Sequence, residues 1–204
     1  MGFDKLTALL DGKPVLAHTV QRFLDCDAIT EILVVCPPER FDLLDKATFT
    51  KPVRRIDGGA ERHLSVANGL AAASPQAEFI AVHDAARPLV SQTDILATLA
   101  AAKIHSAASL ARRVTETLKR SDQGGLTQSP VSRENLWHIE TPQIFRADLI
   151  RTAYGHVLKE NLSVTDDTSA LETISVKTQL IASTSPNPKI TTPADLQNLC
   201  HIPS

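Results

Sequence analysis

The fold of this chain is decided by the stretch AEFIAVHDAARP, at residues 77–88. Its apolar part, FIAV at residues 79–82, is a short run that is typical of a strand in the core of a parallel sheet. The run ends in two charged residues, Asp84 and Arg87, with a pair of alanines between them. Ligands of open α/β sheets bind beyond the carboxyl ends of the strands, so this stretch predicts a core strand and part of a binding site.

The segments on either side alternate in the same way between apolar runs and helical patterns. Ser91 and Asp94, for example, form a capping box at the start of a predicted helix. Strands joined by helices of this length predict one α/β domain over residues 1–204, with a mainly parallel sheet and helices on both faces. The other predicted strands are 31–36, 52–57, 141–145 and 178–183, and the predicted helices are 39–47, 61–74, 91–103, 146–158 and 166–172.

A different pattern covers residues 112–136, where the helical period disappears. Alternating stretches flank the sequence DQGG at 122–125, and this arrangement predicts a long β-hairpin arm with a glycine-rich tip. An isolated two-stranded ribbon is marginally stable in water. We therefore expect the arm to pack on a second copy of the chain, which makes the protein a homodimer.

Composition excludes several classes of protein. A formal charge of −2 over 204 residues provides no field that would favour nucleic acid or an anionic membrane surface. No apolar run approaches the length of a membrane span. The three cysteines, Cys26, Cys36 and Cys200, form no CxxC pair, which argues against a disulfide framework or a zinc site. They indicate reduced thiols in a cytoplasmic protein.

The first candidate site is DGGAERHLS at residues 57–65. Gly58 and Gly59 permit a tight turn, and the following helix would offer free N–H groups to an anion. Arg62 and Ser65 lie one turn apart and could face the same ligand. A plain turn with a solvated arginine explains the stretch equally well, because short glycine motifs are weak evidence.

The second candidate site is the end of the opening strand. Asp84 would be delivered to the ligand face, where a Mg²⁺–phosphate ligand needs a carboxylate, although it could simply pair with Arg87. His83 points to the opposite side by strand alternation and is interpreted as a packed histidine.

The third candidate site is a scatter of hydroxyls and cations, together with two acids interpreted as helix caps, Asp166 and Asp167. No Ser-His-Asp order, nucleophilic cysteine setting or HExxH motif is present. Nucleotidyl transfer needs little beyond positioning and charge stabilisation, and a group of hydroxyl and cationic side chains is compatible with this reaction. The scattered residues are Thr117, Arg133, Thr141, Thr165 and Lys189.

Five blocks in this order, DGGAERHLSV, VHDAARP, LWHIETPQIF, TDDTSALE and NPKITTPADL, resemble the 2-C-methyl-D-erythritol 4-phosphate cytidylyltransferases of the non-mevalonate isoprenoid pathway. The resemblance runs over nearly the whole chain. It implies a Rossmann-like, GT-A-like nucleotidyltransferase fold of three layers, a dimer through the arm, and the use of CTP and Mg²⁺. The polyol phosphate would attack the α-phosphorus of CTP and release pyrophosphate.

The resemblance also implies roles for individual residues. Lys5 would stabilise charge on the triphosphate, and Thr117 and Arg133 would reach into the partner's site. Arg133 and Lys189 would position the attacking phosphate. The nucleotide would be bound by Gly59, Ala60, Arg62, Ser65, Asp84 and Ala85, with Asp84 also holding the metal. The substrate would be bound by Arg87, Thr117, Arg133, Thr141, Thr165 and Lys189.

Several positions depart from the family pattern. Ala60 stands where an aspartate is usual, and Thr115 replaces a residue that is often charged. The family opens with a hydrophobic strand and a loop of the form AAGxGxRM, and Met1 matches only the final methionine of that loop. We therefore expect an internal start or a truncation, and weak CTP binding and turnover for the chain as written. A stop codon upstream of Met1, before any in-frame sequence that encodes the AAGxGxR loop, would contradict this expectation.

Two other functions remain open at this point. One is a cytidylyltransferase for another polyol phosphate such as ribitol 5-phosphate, although HDAARP rather than HDSVRP argues against it. The other is a catalytically impaired form that acts only as a dimeric binding protein. A glycosyltransferase is disfavoured because no DxD-type acidic pair ends a strand.

Overall fold

A computed structural model describes residues 4–199. The strands are β1 (Leu9–Leu10), β2 (Lys13–Pro14), β3 (Ile32–Val35), β4 (Val53–Ile56), β5 (Phe79–Val82), β6 (Ala107–Arg113), β7 (Leu118–Ser121), β8 (Thr127–Val131), β9 (Trp137–Arg146) and β10 (Gln179–Ala182). The helices are α1 (Val15–Leu24), α2 (Pro38–Phe41), α3 (Arg62–Ala72), α4 (Gln92–His105), α5 (Ala147–Lys159), α6 (Asp167–Glu172) and α7 (Pro193–Leu199).

The central sheet has four strands in the order β10-β6-β9-β5. β10 is parallel to β6, whereas β9 runs antiparallel to both of its neighbours. β5, β6 and β10 therefore share one direction, and the predicted strand at 141–145 is corrected to a longer, antiparallel β9. The reversal arises because β6 leads out into the arm and β9 leads back from it, so the two strands pair side by side.

Helices cover both faces of this sheet, as the side chains of β9 show. Phe145 packs in a cluster with α5 and α6 residues such as Ile150 and Leu171. The next residue along the strand, Ile144, packs instead against Ala101 and Ala102 of α4. Because successive strand residues point to opposite faces, the two clusters lie on opposite sides of the sheet and form a three-layer architecture.

The strands β3 and β4 form a separate parallel pair. Between β3 and β5 lies a groove of about 700 Å³, lined by both strands together with residues of α1 and α3. Within residues 4–199, no strand pairs with the edge of β3 or of β5 that faces this groove. The β3–β4 pair and the central sheet are therefore separated by an apolar groove.

The arm is present as predicted. β7 and β8 pair antiparallel, and the carboxylate of Asp122 accepts from the backbone N–H groups of Gly124 and Leu126 at 2.9 Å, which closes the tip. Ser91 is confirmed as the N-cap of α4, since its hydroxyl accepts from Asp94 N–H at 3.1 Å. The reciprocal half of the predicted capping box is not formed, because the Asp94 carboxylate accepts from Thr184 instead. The helix predicted at 39–47 is shorter, however, and consists of α2 followed by a single 3-10 turn at Lys46–Thr48.

The thiols of Cys26 and Cys36 are free and buried, which agrees with the interpretation of reduced cysteines. Burial raises the pKa of Cys36, although Arg55 and Arg40 partly offset this effect. Cys200 lies outside the described residues. In the part of the chain that the structure describes, no helix is long and apolar enough to cross a membrane.

Candidate functional site

Asp84 is the centre of the site and stands two residues beyond the end of β5. Its backbone N–H donates to the Thr141 hydroxyl of β9 at 3.0 Å. Its carbonyl accepts from Arg87 N–H at 2.9 Å, which closes a turn. These backbone bonds fix the position of the carboxylate at the carboxyl end of the strand, as the sequence predicted.

Three cations surround this one carboxylate. Lys189 Nζ lies 2.8 Å from Asp84 Oδ2, Arg87 Nε lies 3.5 Å from the same oxygen, and Arg62 Nε lies 3.6 Å from Oδ1. Burial raises the pKa of Asp84, but the three cations more than offset it, so the pKa lies below its ordinary value. Asp84 is therefore ionised at neutral pH, with all three cations close to its carboxylate.

Arg62 is held in place by a carboxylate that the sequence analysis assigned to a cap. Asp167 is fully buried and accepts from both terminal nitrogens of Arg62, at 3.1 and 2.7 Å. Tyr154 of α5 donates its hydroxyl to the same carboxylate at 2.5 Å. The pKa of Tyr154 is raised by burial and by Asp167, so its hydroxyl keeps the proton that this bond requires.

The capping role belongs to Asp166 alone. Its carboxylate accepts from Ser169 N–H at 3.0 Å and from Gln143 Nε2 at 2.9 Å. The Oε1 atom of the Gln143 amide accepts from the N–H groups of Asp167 and Thr168, at 3.1 and 3.2 Å. Gln143 thus fixes the start of α6 to β9, and the sequence analysis did not identify it.

The turn before α3 is closed by Ser65. Its hydroxyl accepts from Gly59 N–H at 3.0 Å and lies 3.2 Å from the carbonyl oxygen of Glu61. A Cβ at Gly59 would come within 2.4 Å of the Leu64 Cβ, so only glycine allows this approach of the turn to the helix. The prediction of a tight turn is confirmed.

A cavity of about 670 Å³ brings six of the predicted site residues together. Ser65 and Ala85 line the neighbouring groove instead, and Gly59 and Ala60 lie in the turn that Ser65 closes. Lys5, Thr117 and Arg133 are not among the residues that line the cavity, and the last two lie exposed near the base of the arm. The six are Arg62, Asp84, Arg87, Thr141, Thr165 and Lys189.

His83 is a packed histidine, as predicted. Its ring packs against Phe23 in a tilted contact with centroids 4.9 Å apart, and Nε2 is hydrogen-bonded to the Arg87 carbonyl at 3.0 Å. Burial lowers the pKa of His83 to about 4, so the ring is neutral at physiological pH. It supports the Asp84–Arg87 turn from behind and does not line the cavity.

Comparison with known proteins identifies the family that this arrangement resembles. A family model described as IspD, 2-C-methyl-D-erythritol 4-phosphate cytidylyltransferase, matches residues 1–201. The enzyme of that name from Caldanaerobacter subterraneus subsp. tengcongensis is 36% identical over 198 residues, which are 95% of this chain and 87% of the relative. The one from Pseudoalteromonas atlantica is 40% identical, over 91% of this chain and 80% of the relative.

Solved structures give the same result for the fold. The crystal structure of 4-diphosphocytidyl-2C-methyl-D-erythritol synthase from Anaerococcus prevotii superposes with a TM-score of 0.85 at 29% identity, covering 93% of this chain and 86% of that one. The 2-C-methyl-D-erythritol 4-phosphate cytidylyltransferase from Thermus thermophilus gives a TM-score of 0.83 at 30% identity, covering 95% and 91%.

Proposed function

This chain belongs to the 2-C-methyl-D-erythritol 4-phosphate cytidylyltransferase family, and on that premise we propose that it transfers the cytidylyl group of CTP to 2-C-methyl-D-erythritol 4-phosphate. The products are 4-diphosphocytidyl-2-C-methyl-D-erythritol and pyrophosphate, on the non-mevalonate route to isoprenoid precursors. The observation that carries the proposal is the cluster of three cations around Asp84, at one end of a cavity large enough for a small ligand.

The reaction is an exchange of one phosphorus–oxygen bond for another. A phosphate oxygen of the polyol phosphate attacks the α-phosphorus of CTP, and the bond from this phosphorus to the bridging oxygen breaks. Pyrophosphate leaves with the electron pair. Because both reactants are anions, the cations at the site lower the repulsion between them and stabilise the charge that builds up in the transition state. Lys189, Arg87 and Arg62 are placed to supply this effect.

We also propose that Asp84 holds Mg²⁺ together with the triphosphate. Mg²⁺ is usually bound through one or two carboxylates plus substrate phosphates, and one ionised carboxylate that lines the cavity fits this mode. No group of three or more His, Cys, Asp or Glu side chains within residues 4–199 could hold a metal without a substrate. When bound, the ion would neutralise part of the triphosphate charge.

An assay of pyrophosphate release tests the function. The chain is incubated with CTP and Mg²⁺, and with methylerythritol phosphate, ribitol 5-phosphate or no acceptor. We expect release that depends on methylerythritol phosphate and is slow for the chain as written, with the product identified by ³¹P NMR. A preference for ribitol 5-phosphate would contradict the proposed substrate. CTP binding by calorimetry without turnover on either acceptor would instead indicate a binding protein.

We further propose a cytoplasmic homodimer that assembles through the arm. The free thiols of Cys26 and Cys36 support the compartment. The arm strands pair with each other, β8 is largely exposed, and Leu126 at the tip is 72% exposed. Sedimentation equilibrium should give about twice the chain mass of 22.1 kDa. A monomer mass would contradict the proposal.

A further inference from the structure

The loop that carries Lys189 is anchored by a residue with no assigned role. Asn187 lies between Pro186 and Pro188, and it is only 3% exposed although both prolines are exposed. A buried asparagine at an exposed loop must satisfy its polar groups inside the protein. Its partners therefore show what the loop is fixed to.

Three bonds join Asn187 to the site. Its Nδ2 donates to Glu140 Oε2 at 3.2 Å and to the Thr141 carbonyl at 2.8 Å. Its own carbonyl accepts from Arg87 Nη1 at 2.6 Å. Asn187 is thus in contact with the strand that carries Thr141 and with one of the cations that face Asp84. The loop's far side is held as well, since Ile190 N–H donates to the Ala86 carbonyl at 2.9 Å.

Glu140 is the buried acceptor that gives the Asn187 amide its orientation. Its side chain is 7% exposed, and Arg112 Nε lies 3.8 Å from the carboxylate. Burial raises the pKa of Glu140, whereas Arg87, Asn187 and Arg112 partly offset this effect. A neutral donor at 187 is compatible with this carboxylate, but a second acid there would repel it.

The amide keeps this orientation at a cost. Asn187 Oδ1 is buried without a hydrogen-bond partner in the described part of the chain, and so is Arg87 Nε. An unpaired buried acceptor is unfavourable, so loop stability alone gives little reason to place an amide here. In this orientation Asn187 Nδ2 donates to two groups of β9. These two bonds fix the position of the loop residues that follow.

We propose that Asn187 and Glu140 are positioning residues that place Lys189 and Arg87 at Asp84. Neither touches the reacting atoms. Asn187 fixes the loop two residues before Lys189, whose Nζ then meets Asp84 Oδ2 at 2.8 Å. Through its carbonyl, the same residue fixes Arg87. Because a displacement of about 1 Å at a reacting group can lower a rate about 10²-fold, this anchoring controls turnover.

The inference rests on the proposed cytidylyl transfer. Swapping the carboxylate of Glu140 and the amide of Asn187 tests it. Asn187→Asp is assayed at about pH 8, well above the ordinary carboxyl range. We expect kcat to fall about 10²-fold with the KM for CTP little changed. Glu140→Gln alone should have a smaller effect, because the introduced amide still offers an oxygen to Asn187. The double variant Glu140→Gln/Asn187→Asp restores the hydrogen bond between positions 140 and 187 but not the bond to the Thr141 carbonyl. It should therefore regain part of the loss, at least about tenfold in kcat over Asn187→Asp.

A second measurement does not depend on turnover. Hydrogen exchange at the Ile190 amide reports whether the loop stays anchored, and it should become faster in Asn187→Asp and slow again in the double variant. Ser185→Ala, on the same loop, is the control and should leave both readouts unchanged. An active wild type with an unaffected Asn187→Asp variant, or a double variant that recovers neither kcat nor protection, would overturn the inference. A wild type without pyrophosphate release would overturn the proposed function, while exchange at Ile190 still decides the anchoring.

Discussion

Replacing Lys189 with methionine is expected to lower kcat for pyrophosphate release about 10²–10³-fold, the usual loss when a preorganised donor is removed from a developing charge. The expectation follows from position. Lys189 Nζ lies 2.8 Å from Asp84 Oδ2, so its charge is held at the carboxylate that is proposed to carry the metal. Methionine is an unbranched side chain only one atom shorter than lysine, so it keeps most of the packing but removes the charge. Steady-state assays with both substrates would measure the effect.

The same variant should shift the pH dependence of the reaction. Lys189 is the leading cause that lowers the pKa of Asp84, whereas burial raises it. Without the lysine, the pKa of Asp84 rises and the carboxylate is protonated at a higher pH. The acid limb of kcat/KM therefore moves to higher pH in Lys189→Met.

A matched control separates this effect from the general loss of an ion pair. Lys46 pairs with Asp42 at 3.2 Å on an exposed surface. Lys46→Met removes the same kind of pair outside the site and should leave kcat and the acid limb unchanged. A Lys189→Met variant that behaves like Lys46→Met would show that Lys189 does not act in the reaction.

The parts of this site that could be predicted from sequence are those that a local pattern determines. An apolar run that stops at Asp84 identifies a strand and the residue at its end, and glycines followed by a helical period identify the turn before α3. The hairpin arm is likewise encoded by alternation around DQGG. Each of these features is contained within one continuous segment of the chain, so no tertiary knowledge is required.

The parts that could not be predicted depend on contacts between distant segments. Arg62 and Asp167 are 105 positions apart, and nothing in either segment indicates that they pair. TDDTS has the pattern of a helix cap, and the structure shows that only Asp166 caps. The direction of β9 could not be predicted for a related reason, since strand periodicity gives the faces of a strand but not its orientation. Asn187 was overlooked because an asparagine between prolines is an ordinary loop pattern.

Replacing Asp167 with alanine is expected to lower the free energy of unfolding by about 3 kcal/mol, the low end for breaking a buried ion pair. Asp167 is fully buried and binds Arg62 through both oxygens, with Tyr154 as a third partner. Its removal leaves the guanidinium and a phenol without their acceptor. The side chain of Arg62 is 37% exposed, so water can reach part of the charge and the loss stays at the low end. Urea unfolding followed by circular dichroism measures it.

The comparison variants show whether the loss comes from the charge left behind. Asp148→Ala breaks an exposed pair with Arg146, 2.6 Å apart, and should lower the unfolding free energy far less than Asp167→Ala does. Arg62→Met/Asp167→Leu removes both charges and fills the space, so it should recover most of the stability lost in Asp167→Ala. The double variant should nevertheless have low activity, because it lacks the Arg62 guanidinium that faces Asp84. Equal stability losses in Asp167→Ala and in the double variant would instead assign the effect to packing, since the unpaired guanidinium would then contribute nothing.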